Sequence, residues 1–482
     1  MWIIAIILAY FAVLFAISRL TGRQATNNSF FRADRRSLWY MVAFGMVGAS
    51  ISGITFVSVP GMVQSSQMTY LQVCLGFIVG YVVVAFVLLP LYYRLNLTSI
   101  YSYLGQRLGR RSYLSGAWFF LLSKMSGAAV KFFVVCMILQ RFVFDGVGVP
   151  FWMNVVGLVL LIWLYTHRGG IKTLVITDTF QTFCLLTALL LIIYKVLNGL
   201  GMSAGEAVRT VADSPMSRVF VFDDWLSPHH FWKQFLSGVF IVIVMTGLDQ
   251  DMMQKNLTCK TLREAQKDMC SYGVAFVPVN LLFLALGVLL TMLGIDAKGD
   301  ELLPAYVQGA TNCQLSMFNF QLVPVLFTLG IVAASFSTAD SALTSMTTCY
   351  CVDIRQRPDD ERLRKRVHVV MCLIFALFIL LFRSINSMSL IDAVYTLVSY
   401  TYGPLLGLFA FGLFTRKQPH DGWVPYICVA SPLLCYGADM LAQSQWNYHF
   451  GYELLMMNGA ITFLGLWISS RYTHSAVRQI PS

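Results

Sequence analysis

Charged residues are scarce in this chain of 482 amino acids. Asp, Glu, Lys and Arg make up 12% of the residues, whereas 57% are hydrophobic and the mean hydropathy is +0.68. Soluble globular proteins carry roughly 25% charged residues, so the composition excludes an ordinary soluble enzyme. It indicates a polytopic membrane protein whose surroundings are a lipid bilayer.

Signals for catalysis and for soluble modules are also lacking. The seven histidines fall in loops or near the ends of apolar stretches, and no His-Glu-x-x-His metal motif occurs. The eleven cysteines are spread mostly through apolar stretches, which indicates burial and no disulfide framework. No low-complexity tract appears, so we expect a single transmembrane domain over residues 1–482. A membrane-embedded enzyme is therefore a disfavoured class.

Thirteen apolar stretches are long enough to cross a bilayer, which takes about 20 residues. They lie at 2–18, 37–63, 69–93, 113–140, 149–167, 171–197, 229–255, 270–294, 321–352, 366–383, 387–415, 421–442 and 450–470. The first lacks a basic start and a small-residue cleavage site, so we interpret it as a retained anchor. The expected fold class is an all-α polytopic membrane protein with about thirteen transmembrane helices.

The distribution of basic residues predicts the orientation. Of the 34 Lys and Arg, 25 fall in the alternate set of loops that includes residues 19–36, 355–366 and the C-terminal tail, and 7 fall in the opposite loops. Lys124 and Lys131 lie inside a span. By the positive-inside rule the N-terminus is outside and the C-terminus is cytoplasmic. The net charge of +11 follows from this topology, and nucleic-acid binding need not be invoked.

Two apolar stretches contain helix-weakening residues at their middle. One reads Gly48-Ala49-Ser50-Ile51-Ser52-Gly53, and the other ends Thr246-Gly247-Leu248-Asp249-Gln250. Irregular backbone at membrane depth is tolerated where it lines a cavity or is buried in protein. We therefore expect two broken helices.

These two stretches open matching units of five helices, at 37–197 and 229–415. Residues 1–36 precede the first unit, and two helices over 421–470 follow the second. An inverted-repeat transporter with broken helices around a midplane site has this layout. A channel is the weaker alternative, because no repeated filter-like loop occurs.

The segment Ser335–Ser345 places hydroxyls and a carboxylate in an otherwise apolar helix. Hard cations prefer oxygen ligands, and a bare carboxylate in the bilayer costs roughly 2.5–3.5 kcal/mol. On a helix, one face presents Ala334, Ser337, Thr338, Ser341 and Ser345, with Asp340 and Thr344 at its border. The pattern predicts a cation site. Alternatively the hydroxyls bond to the preceding turn and let helices approach closely, which leaves Asp340 unexplained.

Four motifs in order resemble the sodium/solute symporter family, whose members include bacterial proline, sialic acid and sugar transporters. They are Arg168-Gly169-Gly170 with the "TDxxQ" start at Thr177–Gln181, the "DQxxxQR" segment at Asp249–Lys255, the Ser-rich helix ending at Asp353-Ile354, and "GPLLGLF" at Gly403–Phe409. The resemblance covers nearly the whole chain. Here Lys255 replaces the usual Arg.

The resemblance implies a LeuT-type 5+5 core with one extra helix before it and two after it. It also implies that Na+ is the co-transported ion, with no organic cofactor. The implied sodium ligands are carbonyls of Gly48, Ile51 and Ala334 and the side chains of Ser337 and Thr338. Gly48 and Thr338 stand where the family more often has Ala and Ser. A sodium-coupled importer of a small polar solute follows, with a proton-coupled or facilitative carrier of the same fold as the alternative.

The resemblance also implies substrate contacts from the first, third, sixth and tenth core helices. The candidates are Ser50, Ser52, Thr55, Phe56, Lys124, Lys131, Thr246, Tyr395 and Tyr400. Lys124 and Lys131 are seven residues apart and share one helix face. At least one should meet an anion, either Asp178 or Asp340 of the protein or a carboxylate on the solute. A carboxylate solute such as a sialic acid or acidic sugar fits the latter interpretation.

A second cation site is expected at Asp178, Ser337, Asp340 and Ser341, two carboxylates and two hydroxyls. The competing interpretation pairs Asp340 with Lys124 or Lys131. The chain is expected in a cell membrane, the inner membrane of a bacterium, where a monomer is plausible.

Overall fold

A computed structural model describes residues 2–23, 26–225, 227–312, 322–383, 390–446, 448 and 450–477. The described residues are mostly helical, and each of the thirteen expected spans coincides with a helix or a bent helix pair. We number them α1 (Trp2–Gly22), α2a (Trp39–Ser50), α2b (Gly53–Ser66), α3 (Tyr70–Arg94), α4 (Arg110–Val147), α5 (Phe151–Thr166), α6 (Ile171–Leu200), α7a (Phe231–Gly247), α7b (Gln250–Asn256), α8 (Leu262–Met292), α9 (Leu322–Ile354), α10 (Glu361–Arg383), α11 (Leu390–Phe414), α12 (Val424–Trp446) and α13 (Leu454–Val477).

Two helices are broken in the middle of a span, as the sequence predicted. α2a and α2b meet at 62°, and α7a and α7b meet at 69°. Ile51 and Ser52 are extended between α2a and α2b. A π-helical turn over Ile243–Gly247 precedes the second break, where Asp249 caps the start of α7b. Both breaks expose backbone groups that a continuous helix would satisfy internally.

The expected number of thirteen membrane crossings stays a prediction. In the described part of the chain, nine helices are long and apolar enough to cross a bilayer, and the two bent pairs raise this number to eleven. α5 is a shorter apolar helix of 16 residues.

α9 is the central helix of the molecule. It packs against α6 and α4. Of its apolar stretch of 18 residues, 89% is buried, compared with 22% for the corresponding stretch of α1. α6 also packs against α2a, and α8 packs along both halves of the broken α2. The broken α2 therefore lies against α6, α8 and α9, at the centre of the helix bundle.

α3 and α7a approach each other very closely. A methyl group on Gly76 would lie 2.1 Å from the carbonyl oxygen of Phe235, and one on Gly238 would lie 2.3 Å from that of Val73. Small residues let membrane helices pack backbone to backbone. This contact fixes α7a, and with it the start of the second break.

The loop after α6 begins with a capped helix outside the spans, Ala204–Asp213. The Ser203 hydroxyl accepts from the backbone N–H of Glu206, while the Glu206 carboxylate accepts from the backbone N–H and the hydroxyl of Ser203. These bonds hold the pKa of Glu206 below its usual range. Gly201-x-Ser203-x-Gly205 matches the pattern of a nucleophile elbow, but its serine serves here as a helix cap.

Candidate ion and solute site

Thr338 connects α9 to the break in α2. Its hydroxyl lies 3.1 Å from the carbonyl oxygen of Ala49 and 3.1 Å from that of Ala334. Two carbonyls and a hydroxyl from different helices thus converge at the break, the ligand chemistry that a hard cation prefers. Ala49 was missed by the sequence analysis, which named its neighbours Gly48 and Ile51.

Gly48 lies where α2a approaches α6. A methyl group there would lie 2.0 Å from Oγ1 and 2.8 Å from Cβ of Thr182. Thr182 therefore fills the space that a side chain at position 48 would take. Because glycine has no side chain, the α2a backbone at Gly48 lies close to α6, and so does the break that follows it.

Ser337 faces Asp178 of α6. Its hydroxyl donates to Oδ1 of Asp178 at 2.6 Å, and Oδ2 of the same carboxylate lies 2.8 Å from the ammonium of Lys255. All three side chains are buried. This network links α6, α9 and α7b through a single carboxylate.

Asp340 and Ser341 lie beside this network with unused oxygens. Tyr165 donates to Oδ2 of Asp340 at 2.6 Å. Oδ1 of Asp340 and Oγ of Ser341 are buried and have no hydrogen-bond partner in the described part of the chain. These oxygens are therefore free to bind water or an ion.

The alternative in which Asp178 or Asp340 pairs with Lys124 or Lys131 is wrong. Asp178 pairs with Lys255, because the 69° bend directs α7b toward α6. Asp340 receives its hydrogen bond from Tyr165.

Lys124 instead pairs with both aspartates at the second break. Its ammonium lies 3.1 Å from Asp249 and 2.6 Å from Asp251. Tyr402 of α11 donates to Asp249 at 2.7 Å. The cluster joins α4 and α11 to the point where α7 bends. The segment Asp249–Lys255 already indicated this cluster, since Asp249 and Asp251 lie at the predicted break.

A cavity of about 110 Å³ lies between the two breaks. Six of the candidate solute contacts line it, namely Ser50, Ser52, Thr55, Lys124, Lys131 and Thr246. Tyr272 also lines it, accepts a hydrogen bond from Tyr81 at 2.8 Å and is hydrogen-bonded to Ser50. The sequence analysis missed Tyr81 and Tyr272, because neither belongs to a recognised motif.

Lys131 is the second cation of the cavity. Among the described residues its ammonium forms no ion pair and no hydrogen bond, whereas Lys124 is neutralised by two carboxylates. A buried cation without a counter-ion is costly, which makes it a candidate contact for an anionic solute.

Two candidates face away from the cavity. Phe56 is fully buried against the rings of Phe283 and Phe327, so it belongs to the core between α2b, α8 and α9. Tyr400 packs against Tyr436 of α12 and does not line the cavity. The side chain of Tyr395 lies outside the described residues.

A larger recess of about 590 Å³ adjoins the cavity. Tyr70 lines both spaces, and the recess continues past Lys298 and the loop at Gly299–Glu301. Tyr70 therefore lies between the cavity and the recess, on the side of the molecule that carries the loops after α6 and α8.

Two broken helices around a buried, charged cavity define a secondary transporter with alternating access. The family model of the sodium:solute symporter family matches residues 30–424. The chain belongs to this family, and it is a sodium-coupled symporter.

Several curated proteins and solved structures are similar to the chain. The sodium/sialic acid symporter SiaT of Proteus mirabilis is 24% identical over 90% of both chains, and NanT of Aliivibrio fischeri is 26% identical over 85% of this chain and 83% of its own length. The human sodium/iodide cotransporter is 25% identical over 82% of this chain, which spans 62% of that protein's length.

The fold is that of solved transporters. A Na+-coupled sialic acid symporter in a substrate-bound outward-open state superposes with a TM-score of 0.78 over 98% of both chains, at 19% identity. The nucleobase-cation-symport-1 transporter Mhp1 in a closed conformation gives a TM-score of 0.60 at 14% identity, over 94% of this chain and 95% of its own. The expected LeuT-type architecture is thereby confirmed.

Proposed function

We propose that this symporter imports a small carboxylate-bearing solute with sodium, and that Lys131 binds the carboxylate. The observation that carries the proposal is the difference between the two cavity lysines. Lys124 is held by Asp249 and Asp251, whereas Lys131 has no partner among the described residues. An anionic solute supplies the missing counter-ion, and its binding offsets the cost of the buried ammonium.

The names of several relatives agree with an anionic solute. They include transporters named for iodide, for sialic acid and for monocarboxylates, all of which are anions. The cavity volume favours a small solute, because about 110 Å³ is below the roughly 300–1,000 Å³ typical of ligand pockets. A sugar acid of the size of sialic acid requires the cavity to open further.

We propose that sodium binds at the first break. It would be surrounded by backbone carbonyls of α2, at Gly48, Ala49 and Ile51, and by the carbonyl of Ala334 and the hydroxyl of Thr338 from α9. The hydroxyl of Ser337 would join them once it no longer donates to Asp178. The convergence of Thr338 with Ala49 and Ala334 supports this assignment. A sodium ion there favours the state in which α2 and α9 are close, and this preference couples the ion to alternating access.

A second cation position remains a proposal at Asp178, Ser337, Asp340 and Ser341. The unpartnered oxygens of Asp340 and Ser341 support it. Lys255 already neutralises Asp178, so such a cation would depend chiefly on Asp340.

We infer a multi-pass protein of a bacterial inner membrane, with the N-terminus outside, the C-terminus in the cytoplasm and two five-helix repeats at 37–197 and 229–415. The bacterial sialic acid symporters among the relatives support the location. Both breaks and the cavity lie within one chain, which is consistent with a functional monomer.

Transport into proteoliposomes tests the proposal. A thermal-shift screen of carboxylates, sugar acids, iodide and neutral sugars, each with and without sodium, identifies the solute. Counterflow of labelled against unlabelled solute then distinguishes a carrier from a channel.

The decisive variant is Lys131→Met, which should abolish binding of the acid and spare binding of its amide. Lys298→Met is the matched control, because Lys298 lines the outer recess and not the cavity. Unchanged affinity of Lys131→Met for the acid, with sodium-driven uptake intact, would refute the role of Lys131 and leave sodium coupling untouched.

A further inference from the structure

An apolar groove of about 450 Å³ runs between α4 and α10. Leu121, Met125 and Met371 form its buried floor. Trp118 and Val370 form part of its rim, and they are 55% and 49% exposed. An apolar slot between two membrane-spanning helices has the shape that suits an acyl chain.

Two arginines line one end of the groove. Arg355 follows α9, and its guanidinium lies 5.9 Å from the centre of the Tyr350 ring. Arg366 lies in the first turns of α10. In the part of the chain that the structure describes, neither arginine forms an ion pair, so both charges are available to an anion.

Two of the three carboxylates in the segment 355–366 are already engaged. Glu361 pairs with Lys365 at 2.9 Å and with Arg364 at 3.5 Å. Asp360 accepts from the backbone N–H of Leu363 at 2.9 Å. The segment 355–366 holds six basic and three acidic residues, which leaves an excess of positive charge at the groove.

The length of the groove corresponds to one leaflet of a bilayer. Arg366 and Phe378 are twelve residues apart on α10, or about 18 Å at 1.5 Å per residue. Half of the hydrocarbon core is about 15 Å thick. A lipid with its phosphate at Arg366 therefore reaches Phe378 with its acyl chain.

We propose that this groove binds an anionic diacyl phospholipid. Arg355 and Arg366 hold its phosphate, for which the planar guanidinium is well suited, and one acyl chain lies between Trp118 and Phe378. Basic pockets between helices on the cytoplasmic side are typical sites for anionic headgroups. The site is independent of the solute cavity, although α4 contributes residues to both.

The experiment is a lipid titration of the purified full-length protein in detergent, read by native mass spectrometry. Phosphatidylglycerol is compared with phosphatidylcholine of the same acyl chains, and glycerol 3-phosphate represents the headgroup alone. We expect saturable binding of phosphatidylglycerol and weak binding of the other two.

Arg355→Gln/Arg366→Gln should weaken phosphatidylglycerol binding roughly 30-fold, since each basic residue near an anionic lipid contributes about 1 kcal/mol. Arg357→Gln/Arg362→Gln is the matched control, because it removes the same charge from the same segment outside the groove. Val370→Trp fills the groove without changing any charge and should also prevent binding.

Equal losses in the two double variants would overturn the proposal in favour of diffuse attraction to the basic segment. Binding of phosphatidylcholine as tight as that of phosphatidylglycerol, or unchanged binding in Val370→Trp, would also overturn it. Binding of glycerol 3-phosphate as strong as that of the lipid would replace the lipid site by a phosphate site.

Discussion

The hydroxyl of Thr338 bridges the two helices between which we expect sodium. Thr338→Ala removes it and leaves the carbonyls of Ala49 and Ala334 in place. We predict that the sodium concentration for half-maximal uptake rises roughly tenfold, equivalent to the loss of one ligand worth about 1.4 kcal/mol. The measurement is uptake into proteoliposomes over a sodium series.

Two further variants separate this effect from a general loss of packing. Thr338→Ser keeps the hydroxyl and should behave as the parent protein. Thr328 lies on the same helix, and among the described residues its hydroxyl donates to the carbonyl of Pro324 alone, so Thr328→Ala should leave sodium dependence unchanged. A Thr338→Ala protein with parental sodium dependence would show that this hydroxyl is not a ligand.

Gly48 makes room for Thr182. In Gly48→Ala the new methyl group meets Cβ of Thr182 as well as Oγ1, so rotating the hydroxyl away does not relieve the clash. We predict a loss of about 1–3 kcal/mol of stability, as is typical of overpacked cores, with partial recovery in Gly48→Ala/Thr182→Ala. The melting temperatures of the two variants in detergent measure the loss and the recovery.

Gly157→Ala is the control for this pair, because a methyl group there meets nothing within 4 Å. If Gly48→Ala and Gly157→Ala melt at the same temperature, the contact between α2a and α6 is looser than the structure indicates.

At the residue scale, the sequence does not show in which direction a side chain points, and this limited the prediction of the site. Thr55 and Phe56 are adjacent and were both expected at the solute, but they face opposite sides of α2b, one toward the cavity and one toward Phe283. Likewise Tyr402, and not Tyr400, contacts the charged cluster of Lys124 and Asp249. A motif locates a helix near a site, whereas the rotation of that helix is set by its neighbours.

At the scale of elements, the ion pair of Lys255 and Asp178 holds α7b against α6. Both side chains are almost fully buried. Lys255→Met leaves the carboxylate uncompensated, and we predict a loss of about 3–5 kcal/mol of stability, with partial restoration in Lys255→Met/Asp178→Asn. The measurement is the melting temperature of the purified protein.

The pair of Lys172 and Asp34 is the comparison. It is partly exposed, so Lys172→Met should cost only about 0–1 kcal/mol. A Lys255→Met protein as stable as Lys172→Met would mean that Asp178 finds another partner.

The two breaks were predictable because their causes are local. Glycines and hydroxyls around Ser50 and Gly247 weaken the helix wherever it lies. The partner of Asp178 was not predictable, because Lys255 is 77 positions away and reaches it only through the bend of α7. Residues that interrupt a helix can be recognised in the sequence itself. Which of several buried lysines pairs with Asp178 depends on three-dimensional packing.

For the whole molecule, the charge asymmetry of the loops predicts an external N-terminus and a cytoplasmic C-terminus. Green fluorescent protein fused at the C-terminus should fluoresce, and alkaline phosphatase fused there should be inactive. A fusion after Gly201, at the end of α6, should give the opposite pair of results. The same activities at both fusion points would contradict the expected topology.

The charges of the solute cavity and of the second break cancel. Lys124 and Lys131 carry two positive charges, and Asp249 and Asp251 carry two negative ones. Moving a net charge through the membrane field costs about 2.3 kcal/mol per 100 mV, so a balanced cavity resets between turnovers without opposing the membrane voltage. A monovalent anion that travels with one sodium ion preserves this balance. With that stoichiometry the sodium concentration ratio, and not the voltage, limits how far the solute accumulates in the cell, whereas a second cation at Asp340 would add the voltage to the driving force.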